Sequence, residues 1–129
     1  MSEPVFGSAA VLATEIIAQD QTITPEHAWE IAIGKLTKSE STRNKGCPRA
    51  TFLFLCQQGL VRGIPIGDYT KGSRNGQYAI EAIKIIRENP EMTSNKTTLW
   101  KVVSNGERSH NGQLDVVLGL YKKNLLVIR

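Results

Sequence analysis

Five residues of one stretch return 69 positions later: Gly7, Ala10, Ala13, Ile16 and Ile17 answer to Gly76, Ala79, Ala82, Ile85 and Ile86. The two tryptophans, Trp29 and Trp100, correspond at an offset of 71, and Leu53, Leu55 and Leu60 match Leu118, Leu120 and Leu125 at 65. Offsets that drift only where loops intervene are what a duplicated unit leaves behind. Within each copy the apolar residues recur with a helical period, so the unit reads as three helices. The expected fold is all-α: six helices in two pseudo-repeated three-helix units, spanning about 7–61 and 76–126 with a connector at 62–75. The 129 residues then make one domain, long enough to bury a core without disulfides or metal.

Local punctuation sets the expected boundaries. A first helix runs from about Gly7 to Gln19. A second has Thr24 as N-cap and Pro25 as first helical residue, with Ala28, Trp29, Ala32 and Leu36 on one stripe. After a polar loop, Lys38 to Gly46, a third helix starts at Pro48 and ends at Gly59, a residue suited to the left-handed C′ position. The fourth covers about Gln77 to Arg87 and stops before Pro90. The fifth begins near Ser94 or Asn95 and carries Leu99, Trp100 and Val103. The sixth follows the loop Ser104–Gly112 and ends at Asn124. Helices three and six are apolar nearly all round (Phe52 to Leu55; Val116 to Leu118 and Leu120), which places them at the shared centre. The tail Leu125–Arg129 reads as extended and could pair with Leu60–Ile64 as a minor two-stranded β element.

Several function classes drop out early. No apolar run approaches the ~20 residues that span a bilayer, so no membrane role is expected. The chain opens Met1-Ser2-Glu3-Pro4, with an acid where a secretory leader needs bases. Cys47 and Cys56 lie on or beside one helix, nine residues and therefore ~13 Å apart. A disulfide needs less than ~7 Å between Cα atoms, so both read as free thiols, which suits the cytoplasm. Two cysteines and two histidines do not fall at metal-ligand spacings, and no phosphate-loop or dinucleotide motif is present. No metal or cofactor is expected.

Charge is the feature that points to a partner. Residues 35–74 hold eight bases and two acids, a net of +6, while the remainder nets −2. Such a concentration attracts anionic partners, nucleic acid above all. The candidate anion-binding residues are Lys38, Arg43, Lys45, Arg49, Lys71 and Arg74. The loop before the third helix is about six residues longer than its counterpart before the sixth, an insertion that packing in the second half did without. Lys45-Gly46-Cys47-Pro48-Arg49 enters the third helix, where free backbone N–H groups and the positive dipole end favour an anion. The bland reading is that Cys47 simply occupies the N-cap position.

Two rival classes share these residues. The same helix entry would activate a Cys47 thiol, and the pseudo-symmetry brings the loop Arg108-Ser109-His110-Asn111-Gly112-Gln113 towards it. A Cys47–His110 pair, oriented by Asp115 or Gln113, is the constellation of a small thiol enzyme. A module that binds a protein partner, or a second copy of itself, is the third reading. Helices two and three also look superficially like a helix-turn-helix, but the third is too apolar to present a recognition face. The connector Gly72-Ser73-Arg74-Asn75-Gly76 offers a further backbone nest before helix four.

The stretches Lys45-Gly-Cys-Pro-Arg-Ala-Thr-Phe-Leu-Phe-Leu-Cys-Gln-Gln-Gly-Leu-Val-Arg-Gly-Ile-Pro-Ile-Gly-Asp-Tyr-Thr70 and Ser109-His-Asn-Gly-Gln-Leu-Asp-Val-Val117 resemble a family of small uncharacterised bacterial proteins. The resemblance covers most of the chain and implies a bacterial, cytosolic origin. It implies no activity, so the expectations above rest on the residues alone.

Overall fold

The computed structural model describes residues 4–71, 74–106 and 109–128. Among them the chain forms α1 (Val5–Gln19), α2 (Pro25–Leu36), a single turn α3 (Glu40–Arg43), α4 (Gly46–Gln57), α5 (Arg74–Glu88), a 3₁₀ turn (Pro90–Ser94), α6 (Lys96–Ser104) and α7 (Gln113–Lys122). The expected six helices are α1, α2, α4, α5, α6 and α7, and the all-α class stands.

Sequence explains most of the boundaries. The Thr24 side chain accepts from the His27 backbone N–H at 3.2 Å, and Pro25 takes the first position of α2, where its missing donor costs nothing. Asn95 caps α6 in the same way through the Thr98 N–H. Among the boundaries that differ from expectation, α1 begins at Val5 rather than at about Gly7. The Lys38–Gly46 loop contains α3, because Ser39 accepts from Thr42 N–H and caps a turn within it. Helix α4 begins at Gly46, so Pro48 is its third residue rather than its first. Helix α5 starts at Arg74, ahead of the expected Gln77. Pro90, expected only to stop a helix, opens the 3₁₀ turn, since its fixed φ suits a first turn as well as it terminates a preceding one.

The two apolar helices end alike. After α4, Gly59 sits at φ 74° while Leu60 N–H donates to Leu55 O at 2.9 Å and Gly59 N–H to Cys56 O at 3.0 Å. After α7, Asn124 sits at φ 59° while Leu125 N–H donates to Leu120 O at 2.9 Å and Asn124 N–H to Tyr121 O at 3.0 Å. Both are Schellman closures, in which a left-handed residue turns the chain and satisfies the last carbonyls. The chain segments they release meet each other. Arg62 N–H donates to Leu125 O and Val127 N–H to Leu60 O, both at 2.8 Å. Buried Val61 and Leu126 form one isolated antiparallel bridge there. The expected two-stranded element is thus a single bridge: Gly63 turns away at φ 82°, and no further rung forms among the described residues.

Packing centres on α7, which lies against α1, α4 and α5, while α2 covers α1 and α4, and α6 covers α5. Leu114, Val116, Val117 and Leu120 are fully buried, as are Phe52 and Leu55 on α4, so both helices occupy the centre that their composition demanded. Glycine permits the closest approaches. A Cβ on Gly7 would lie 2.6 Å from Asp115 O, and one on Gly119 would lie 2.6 Å from Gly7 Cα. On the other side of the molecule a Cβ on Gly76 would lie 2.1 Å from the Phe54 ring. Both α1 and α5 therefore enter through a first-turn glycine pressed on a central helix, α7 and α4 respectively. Trp29 and Trp100 are both buried, though against different neighbours: Phe52 for the first, Tyr78 and His110 for the second.

Three helical glycines give opposite expectations. Gly7→Ala and Gly119→Ala must push two backbones apart, and each is expected to lower stability by about 1–3 kcal/mol. Gly34, within α2, has nothing within 4 Å of the place a methyl group would occupy, so Gly34→Ala is expected to raise stability by roughly 0.5–1 kcal/mol. Urea unfolding of the three variants checks both signs.

Candidate anion-binding site

The N-terminal end of α4 is assembled from three directions. Helix α2 brings Trp29, Glu30, Ile33 and Gly34; α3 brings Arg43 and leads into Asn44 and Lys45; α4 itself brings Arg49. Between them lies a recess of about 320 Å³. Lys45, with extended backbone, is the N-cap of α4, although its side chain makes no capping hydrogen bond. Cys47 is therefore in the first turn and not at the N-cap as expected. Thr51 Oγ1 donates to its carbonyl at 2.8 Å, and the thiol itself is half-buried.

The structure divides the candidate bases into groups. Arg43 turns back onto α2, donating from Nε to Thr37 O at 2.8 Å and from Nη2 to Gly34 O at 3.2 Å. It closes the carbonyl end of α2, where a cation is also favoured by the macrodipole. That gives the inserted loop a packing role which the length comparison did not reveal. Arg49 faces Glu30 across 3.9 Å, a long and exposed pair worth little. Lys45 Nζ reaches Asn111 Oδ1 at 3.4 Å, so the loops before α4 and α7 meet. Asn111 N–H then donates to Gln113 Oε1 at 2.8 Å, and Gln113 Nε2 to Asn75 Oδ1 at 3.0 Å. This polar chain ties Arg74, at the start of α5, to the same end of the molecule as Lys45.

Lys71 and Arg62 lie elsewhere. Tyr69 and Thr70 N–H groups both donate to Gln57 Oε1, at 2.8 and 3.0 Å, which anchors the connector beside Lys71 at the far end of α4. Arg62 Nε donates to Asn124 O at 2.9 Å, also beyond that end. Twelve helical residues separate the two ends by ~18 Å. The basic stretch that is continuous in sequence is thus split in space. Of the six candidates, Arg43, Lys45 and Arg49 share the α4 entrance, Arg74 is linked to it, Lys71 is not, and Lys38 is exposed just ahead of α3. Gly72, Ser73 and Arg108, parts of two candidate loops, lie outside the described residues.

His110 is committed to structure. Its Nε2 accepts from the Leu114 N–H at 3.0 Å, serving as the side-chain cap that Gly112 cannot provide for α7. That bond places the imidazole proton on Nδ1. The ring packs edge-on against Trp100 with centroids 5.1 Å apart. Burial holds its pKa below the ordinary histidine value; Asp115 opposes that shift and Lys96 reinforces it. No hydrogen bond joins Cys47 to His110. Asp115 is engaged with Lys96 at 2.7 Å and Gln113 with the two asparagines, so neither orients a base toward the thiol. Cys56 is fully buried, and its thiol pKa is pushed up by that burial. Among the described residues no group of three or more His, Cys, Asp or Glu could hold a metal ion, and no helix is long and apolar enough to cross a membrane.

Sequence reasoning missed Asn75, Asn111 and Trp29. Nothing in the spacing of the two asparagines marks them, since Gln113 joins Asn75 across 38 residues of chain only after folding. Trp29 was legible as core, but its place in the wall of the recess was not. The profile of one protein family, described only as a family of unknown function, matches residues 1–127. No curated protein and no solved structure matches the chain.

The His110 geometry predicts a pH dependence. With its folded pKa below the unfolded value of ~6.5, the neutral ring contributes fully above pH ~6.5. As pH falls below that, the unfolded chain takes up the proton first and stability is lost. Urea midpoints at about pH 7.5 and 5.5 should therefore differ more in the unsubstituted chain than in His110→Gln, whose amide oxygen can still accept from Leu114. Equal differences in the two proteins would remove His110 from this role.

Proposed function

This chain belongs to the family of unknown function DUF6979, and we propose that it is a cytoplasmic binding module whose partner is nucleic acid, held through its phosphates. The observation that carries the reading is the charge layout: a net of +6 within residues 35–74 beside −2 in the remainder. The contacting set proposed is the exposed part of that stretch at or ahead of the α4 entrance, together with Arg74, which is linked to it. Lys38, Lys45 and Arg74 are exposed, and the Lys38 and Arg74 side chains make no hydrogen bond or ion pair among the described residues. Arg49 is held only by its long pair with Glu30. Phosphate contacts from such side chains give affinity and orientation without base reading. Helix α4 is buried from Thr51 to Cys56, so it has no face to lay in a major groove, and sequence preference is slight.

The thiol-enzyme reading finds no support in the geometry, since His110 and its neighbours are spent on the start of α7. A protein partner, or a second copy of the chain, becomes the favoured reading if phosphate contact fails.

Each neutralised phosphate releases condensed counterions, so binding to DNA or RNA should weaken steeply between about 50 and 200 mM salt. A set of three to four contacts gives a log–log slope of about −3 on duplex DNA. The combined variant Lys38→Ala, Lys45→Ala, Arg74→Ala removes no buried side chain and should flatten the slope by about one unit per lost contact. Fluorescence anisotropy with labelled single- and double-stranded oligonucleotides reads this. Absence of binding at the low-salt end, or an unchanged slope in the variant, would overturn the proposal.

A further inference from the structure

Asparagine is followed by glycine three times, at Asn75-Gly76, Asn105-Gly106 and Asn111-Gly112. The pair is chemically reactive because glycine lacks a Cβ, so its backbone nitrogen reaches the asparagine side-chain carbon without a steric barrier. In a folded protein the reaction needs the peptide between the two residues to rotate, and the structure separates the three pairs on that point.

Two of them are clamped. Gly76 is buried in α5, where a Cβ would lie 2.1 Å from the Phe54 ring, and Asn75 Oδ1 accepts from Gln113 Nε2 at 3.0 Å. Gly112 is buried at φ 93°, where a Cβ would lie 2.6 Å from the Phe6 ring. Asn111 is exposed, but its N–H donates to Gln113 Oε1 at 2.8 Å and its Oδ1 takes Lys45 Nζ at 3.4 Å. Asn105-Gly106 has none of these restraints. Asn105, the left-handed C-cap of α6 at φ 57°, is exposed, and its side chain makes no hydrogen bond among the described residues. Gly106 is exposed at φ 73°, its N–H has no acceptor among the described residues, and nothing lies within 4 Å of a Cβ placed there. One bond fixes the turn, from Asn105 N–H to Val102 O, and at 3.4 Å it is long.

We propose that Asn105 is a site of spontaneous covalent modification, its side-chain amide passing through a succinimide to aspartate or isoaspartate, while folding withholds the same reaction from Asn75 and Asn111. The Gly106 nitrogen gives its proton to base and bonds to Asn105 Cγ. The Cγ–Nδ2 bond breaks, and the nitrogen takes up a proton and leaves as ammonia. Water then opens the five-membered ring at either carbonyl, which leaves one new carboxylate and needs no other reactant. That charge arrives at the C-terminal end of α6, where the macrodipole disfavours an anion. The two protected pairs belong to the polar chain through Gln113 that joins the loops before α5 and α7.

Trypsin puts each pair in its own peptide, residues 75–84, 102–108 and 109–122, so mass spectrometry reads all three in one digest. The chain is aged in mildly alkaline buffer, with a parallel sample in concentrated urea. In native buffer the 102–108 peptide should convert within about threefold of the rate of the free heptapeptide, and the other two at least about tenfold more slowly, because they wait on local opening. In urea all three should convert at comparable rates. Asn105→Gln should abolish conversion of the 102–108 peptide and leave the other two as they were. An unconverted 102–108 peptide, or one no faster than the others in the folded chain, would overturn the proposal. A difference that persists in urea would overturn the role given to folding.

Discussion

Two backbones touch where α1 crosses α7, and the remaining packing is arranged around that crossing. Gly7 and Gly119 are the residues that allow it, since a methyl group on either would fall within 2.6 Å of backbone atoms of the other helix. Helix α7 is thereby drawn deep enough that Leu114, Val116, Val117 and Leu120 leave water completely. A helix so apolar has no solvent face to offer, so α1, α4 and α5 must all lie against it. The side chains that α4 buries in turn leave only its two ends available for chemistry. The exposed groups of α4 are confined to those ends by the same constraint that makes the core.

The N-terminal ends carry the polar groups that the core excludes, and most have structural work. Arg43 finishes α2, His110 begins α7, and Gln113 joins the loops before α5 and α7. Gln113 is only 3% exposed yet partnered at both its amide atoms, which is how a buried amide is tolerated. Against that background Trp29 Nε1 and Glu26 Oε1 are buried without a partner. The exposed bases at the same end retain unspent hydrogen-bonding capacity, and Coulomb attraction to phosphate needs no more order than a flexible lysine supplies.

Much of this architecture was legible in one dimension. Helical period, proline at a first turn and left-handed residues after a last turn are local signals, and Thr24-Pro25, Gly59 and Asn124 obey them. The misjudged boundaries lie where short-range chemistry competes. Ser39 could cap a turn inside a polar loop, and nothing in the apolar pattern announces a helix of four residues. That no hydrogen bond joins Cys47 to His110 has a similar reason. The meeting of the two loops was foreseeable, and Lys45 does reach Asn111, but which acceptor a histidine takes is settled within hydrogen-bond distance.

The sequence by itself determined the helical class, the burial of α4 and α7, the free thiols and the sign of the charge. Each of these follows from composition and period, which survive unfolding. Only the tertiary structure decided which bases lie together. Arg62 and Lys71 belong to the basic stretch on paper, yet they lie beyond the far end of α4, because a helix of twelve residues is a rigid spacer ~18 Å long. It likewise decided that Trp29, Arg43 and Arg49 share one recess, since three elements separated in the chain come into register only when α2, α3 and α4 pack.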